Sequence, residues 1–132
     1  MKYDYIASVE LNSNLTLSET ADKLTNIFCT FVFEEDEYDR FDEVPAYIAV
    51  VDDIELILLG PPDDVDADYF LLKLYSKKEI ELGGYSHFDC EFLKSLPISN
   101  AKIEESGYVN VSEKLVNFVN QKSNEIKCIL MD

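Results

Sequence analysis

Basic residues are scarce in this chain. Eleven Lys and Arg stand against 27 Asp and Glu, giving a formal net charge of −16. So acidic a surface repels nucleic-acid phosphates and anionic membranes, which argues against direct binding to either, and it attracts basic proteins. Histidine is represented by His87 alone, so any His-dependent catalysis has one residue to use. Cysteine is sparse and odd in number. Cys29, Cys90 and Cys128 show no framework spacing and read as reduced thiols in a cytoplasm. No apolar run reaches the roughly 18 residues that mark a membrane span, and the first residues lack the apolar core of a signal peptide. Neither the P-loop pattern nor GxGxxG occurs, so no phosphate-cradling loop is expected.

What the chain does contain is core-forming material. Hydrophobic residues make up 47% of its 132 residues, with eight Phe and eight Tyr, enough for one packed domain spanning 1–132. Residues 3–11 alternate, with Tyr3, Tyr5, Ala7, Val9 and Leu11 on one side, and predict a half-buried strand. Leu17, Ala21, Leu24 and Phe28 fall at helical spacing. Thr16 and Glu19 fit a capping box for that helix, with Ser18 as the alternative cap. Residues 28–33, rich in aromatic and β-branched side chains, predict a second strand.

Two further strands, Ala46–Val51 and Ile54–Leu59, flank Asp52-Asp53, which suits a tight hairpin turn. Both are apolar on both faces and are expected to be central and covered. Residues 69–76 form another strand. A short helix around Phe88, Phe92, Leu93 and Leu96 precedes Pro97. A second main helix is expected to be capped by Ser112 and to carry Leu115, Phe118, Val119 and Lys122 on one side, with a Val111–Val116 staple at its start. Residues 126–131 close the chain as a strand. The order implies an α+β fold: an antiparallel-rich sheet of about five or six strands with two main helices packed on it.

The acids are unevenly placed. Residues 34–68 hold 14 of the 27, opposed only by Arg40, for a local charge of −13. The rest of the chain carries −3, and its ten lysines argue against a uniformly acidic, salt-adapted surface. Two runs dominate, 34–43 and 63–68, flanking the central hairpin. Charge runs are ordinarily solvated loops. Here Tyr38 and Phe41 are interleaved with the acids, and aromatic residues amid charge are typical interface anchors. The candidate partner-binding residues are therefore Glu35, Glu37, Tyr38, Asp39, Phe41, Asp42, Asp63, Asp64, Asp66 and Asp68. Such a patch steers a basic partner to a fast encounter.

Other chemistry is thin. Asp64-x-Asp66-x-Asp68 begins like a calcium loop, but Tyr69 stands where the turn glycine belongs and Tyr75 where the bidentate Glu belongs. His87-x-x-Cys90 offers two metal ligands, or a nucleophile and base, without the further ligands or the elbow those roles need. Adjacent exposed carboxylates lack the desolvation that acid–base catalysis requires. No enzyme activity, metal or cofactor is expected.

The apolar hairpin of residues 44–60, followed by Pro61-Pro62 and the Asp-rich loop, resembles bacterial immunity proteins, of the type paired with contact-dependent growth inhibition or related polymorphic toxins. The resemblance implies a cytoplasmic inhibitor whose partner is a cognate toxin domain, a basic protein and often a nuclease, met by the acidic surface as a phosphate substitute. The alternative is an acidic nucleic-acid mimic that inhibits a DNA- or RNA-binding protein.

Overall fold

Alternation in the first segment produces the strand around which the molecule is built. The structure is a computed structural model that describes residues 2–28, 31–35, 45–51, 54–60, 69–76, 80–81, 92, 102–103 and 108–131. β1 spans Lys2–Asn12, with Tyr5, Ala7, Val9 and Leu11 all buried. Asn12-Ser13-Asn14 ends it, and α1 follows over Leu17–Phe28. The capping box forms as expected. Thr16 N–H donates to Glu19 Oε1 at 3.0 Å and Glu19 N–H donates to Thr16 Oγ1 at 3.1 Å. Ser18 is not the cap. α1 buries Thr20, Ala21, Leu24 and Phe28.

Among the described residues of 28–33, none forms the expected strand. The helix runs through Phe28, and the next strand, β2, is only Glu34–Glu35. The aromatic residues that suggest a strand are core side chains folded back under the helix. Phe31 and Phe33 pack against Phe28 with ring centroids 5.8 and 6.5 Å away. Phe33 N–H donates to the Thr25 hydroxyl at 3.1 Å, so that backbone group is satisfied by α1 instead of a sheet.

β3 (Ala46–Val51) and β4 (Ile54–Leu59) form the expected antiparallel hairpin, closing on the Val51–Ile54 pair. β5 spans Phe70–Ser76 and β6 Ile80–Glu81. β7 is Lys102–Ile103 and β8 Tyr108–Asn110. α2 covers Ser112–Lys122 and β9 Lys127–Leu130. The sheet runs β2-β3-β4-β5-β1-β8-β7, with β6 and β9 also pairing β1. All these pairs are antiparallel except β1 with β8. The fold is α+β with an open, antiparallel-rich sheet and two helices. The strands of four or more residues are β1, β3, β4, β5 and β9, and the others are two- or three-residue pieces.

One face of the sheet carries the core. Tyr5, Val9 and Leu11 of β1 join Leu72 and Leu74 of β5, Leu56 and Leu58 of β4, and Val109 of β8. Leu24 and Phe28 of α1 and Leu115 and Val119 of α2 close over the same cluster. Phe28 stacks on Phe118 at 5.1 Å, tying the two helices together, and Phe92 meets both rings edge-on or tilted at 5.5 and 5.3 Å. The opposite face carries Ile6, Ser8, Lys73, Tyr75, Ile57 and Val50. There β4 is covered as expected, with Ile57 at 3% exposure, whereas β3 lies one strand from the edge and leaves Val50 46% exposed.

α2 starts differently from the sequence expectation. Val111 is its N-cap residue and supplies no side-chain cap, while the preceding Asn110 accepts from Ser112 N–H through Oδ1 at 2.9 Å. Ser112 is the first helical residue, and its hydroxyl accepts a hydrogen bond from Ser8 N–H at 3.0 Å instead. Val111 N–H donates to Ile6 O at 2.8 Å. Both contacts sit where β1 passes from its parallel partner β8 to its antiparallel partner β9. The helix start thus satisfies strand groups that neither neighbour reaches. With the cap at Val111, the expected Val111–Val116 staple loses its register.

Candidate functional site

The registers decide where the acidic segments are tethered. Glu35 pairs with Tyr47 and Ala46 pairs with Leu59, while Leu59 also pairs with Leu71 and Phe70 with Leu11. Glu35, Pro45, Gly60 and Tyr69 therefore stand at one end of the sheet, opposite the Val51–Ile54 end. Residues 36–44 depart from Glu35 and return at Pro45. Residues 61–68 depart from Gly60 and return at Tyr69. The two tethers are joined directly, since Gly60 N–H donates to Pro45 O at 2.9 Å. A Cβ on Gly60 would lie 3.1 Å from both Leu17 Cδ2 and Pro45 Cγ, so glycine lets α1 and the chain entering β3 close on that point.

Of the candidate partner-binding residues, Glu35 lies within the described residues and is exposed beside Glu34. Glu37, Tyr38, Asp39, Phe41, Asp42, Asp63, Asp64, Asp66 and Asp68 lie outside them, as do Asp52, Asp53, His87, Cys90 and Cys29. Glu55 belongs to the acidic stretch by sequence but not by position. It sits on β4 with 7% exposure, because the alternation of the hairpin turns it onto the middle of the sheet.

Tyr69 was assigned by sequence to a strand and is instead a candidate contact residue. It precedes β5, is 42% exposed, and abuts residues 61–68. The signal was available in its position directly after Asp68, the same mixing of ring and acid that singles out Tyr38 and Phe41.

Reactive chemistry is weak in the described residues. Cys128 is buried, and burial pushes its thiol up from 9.0 to about 12, so it stays protonated and unreactive at neutral pH. No cluster of His, Cys, Asp and Glu suited to a metal occurs among the described residues. No helix among them is long and apolar enough to cross a membrane.

No protein-family model matches the chain, and no curated protein or solved structure matches it either.

Proposed function

We propose that this chain is an acidic binding protein that holds a basic protein partner against the Glu35–Tyr69 end of its sheet. The partner class that fits best is the toxic domain of a bacterial toxin, a nuclease in particular, neutralised in the manner of an immunity protein. The observation that carries the reading is the common tethering of two acid-rich segments, 36–44 and 61–68, on hydrogen-bonded neighbours Pro45 and Gly60. Like charges brought to one end of a sheet oppose folding, and a cationic surface docked there relieves that repulsion. A nuclease presents such a surface because it must bind phosphate. Tyr69, exposed at the same end, supplies ring area of the kind that slows release.

Co-expression with the neighbouring open reading frame, followed by co-purification and a growth assay, tests the proposal. The expected result is a complex and rescue of cells from the toxin. Replacing Glu35, Asp39, Asp42, Asp64 and Asp66 together with Lys should abolish both and leave the domain folded. Replacing acids away from that end, Asp22 and Glu113, should leave both intact. The association rate should fall steeply with added salt. A toxin complex that forms equally well with the first set of replacements would refute the acidic end as the binding face. Capture of a DNA- or RNA-binding host protein instead would indicate a nucleic-acid mimic.

A further inference from the structure

Two outer strands of the sheet are finished differently. At β9 the backbone groups of Cys128 are taken by the Asn120 carboxamide, which donates to Cys128 O and accepts from Cys128 N–H, each at 2.8 Å. β2 stands at the end of the strand order, with no strand beyond it among the described residues. Its ladder to β3 consists of Glu34 with Ile48 and Glu35 with Tyr47. In an antiparallel ladder one residue of two neighbours turns its N–H and C=O inward and the other turns both outward. Among the described residues, no hydrogen bond or ion pair beyond that ladder engages Val32, Glu34 or Glu35. Burial alternates along the approach to β2. Phe31 and Phe33 are buried, whereas Val32 is 58% exposed and both glutamates are exposed. Carried two residues back, the β2–β3 register sets Val32 opposite Val50, itself 46% exposed. The edge thus presents an apolar spot beside two carboxylates.

We infer that residues 32–35 receive an added strand from a protein partner, an extended segment with Lys or Arg opposite Glu34 and Glu35 and an apolar residue opposite Val32. The inference rests on the reading of a basic partner and names how that partner engages the sheet beside the acidic end. A second copy of this chain does not fit. Pairing two β2 edges sets the glutamates of one copy against those of the other, and like charges directly opposed destabilise a ladder. Shortness and charge also guard an edge against chance pairing. Protection alone leaves Val32 unexplained, because a charged residue there would guard the edge better. A basic strand turns the same acids into attraction and covers the valine.

The probe is a capped peptide, Lys-Lys-Thr-Val-Thr, titrated to millimolar concentration into the full chain. Its controls are Glu-Glu-Thr-Val-Thr and the Lys peptide with its backbone amides N-methylated. Amide shifts and hydrogen exchange are followed. Shifts and slowed exchange are expected at Val32, Glu34 and Glu35 with the unmethylated Lys peptide only. Glu34→Gln and Glu35→Gln together should weaken binding about three- to tenfold, the worth of two cross-strand charge pairs. Val32→Lys should abolish it and leave the fold intact, since Val32 is exposed and belongs to no strand. Equal binding of the N-methylated peptide would show charge attraction without strand pairing and overturn the inference. So would shifts confined to other residues, no shift at all, or unchanged affinity in the double Gln variant. The acidic end fails on a separate result, a toxin complex that survives the charge replacements there.

Discussion

Asn120 shows how one side chain can finish a strand. Cys128 is buried in β9, and its backbone N–H and C=O both turn away from β1 to the Asn120 carboxamide. The side chain does the work of a further strand at that point and closes an otherwise open edge. Asn120→Ala would leave both backbone groups without that partner, and the expected cost is about 1–3 kcal/mol in urea denaturation, with faster hydrogen exchange at the Cys128 amide. Unchanged exchange there would show that the pairing contributes nothing. The Cys128 thiol adds a pH dependence. Its folded value lies above its unfolded one, so the unfolded chain gives up this proton first as pH rises. Stability from this group is complete below pH 9.0 and is lost progressively toward about 12. Native-state alkylation followed by peptide mass analysis should leave Cys128 unmodified at neutral pH and modify it in denaturant. Glu19 works in the opposite sense. The backbone and then the side chain of Thr16 hold its carboxyl below the ordinary 4.5, so its contribution is present above that value and disappears as acid protonates it.

The elements differ in how much the sequence could reveal. β3, β4 and α1 were legible because each is long enough to show its period: continuous apolar runs for the hairpin, and a four-residue stripe with a capping box for the helix. β2, β6 and β7 have two residues each, too few for any period. Residues 31–33 misled because the aromatic side chains of Phe31 and Phe33 suit a core floor as well as a strand, while Val32 between them is exposed. Ser112 misled because a serine before an apolar stripe signals a cap, and only the fold reveals that Ser8 N–H claims its hydroxyl. α1 is held by packing more than by its cap. Leu24, fully buried among the core side chains, should cost about 2–5 kcal/mol when replaced by Ala, measured by urea denaturation. A loss under about 1 kcal/mol would mean that the helix docks without it.

For the whole molecule, charge was legible as an amount and a stretch, but not as a place. That both acidic segments hang from one end follows from strand registers. An excess of 16 negative charges also predicts self-repulsion in the folded state. Unfolding free energy at neutral pH should therefore rise as sodium chloride increases from about 0.05 to about 0.5 M. A flat or falling dependence would mean that favourable ion pairs outweigh the repulsion.

β1 has a consequence for how the protein is made. It is synthesised before its partners β5, β8 and β9, which lie well downstream, as late as Leu130. One edge of the nascent strand stays bare until β5 has appeared and the other until β8 and β9 follow, so the sheet is completed late and slowly, and a chain cut short before β9 would display part of one β1 edge to any passing strand.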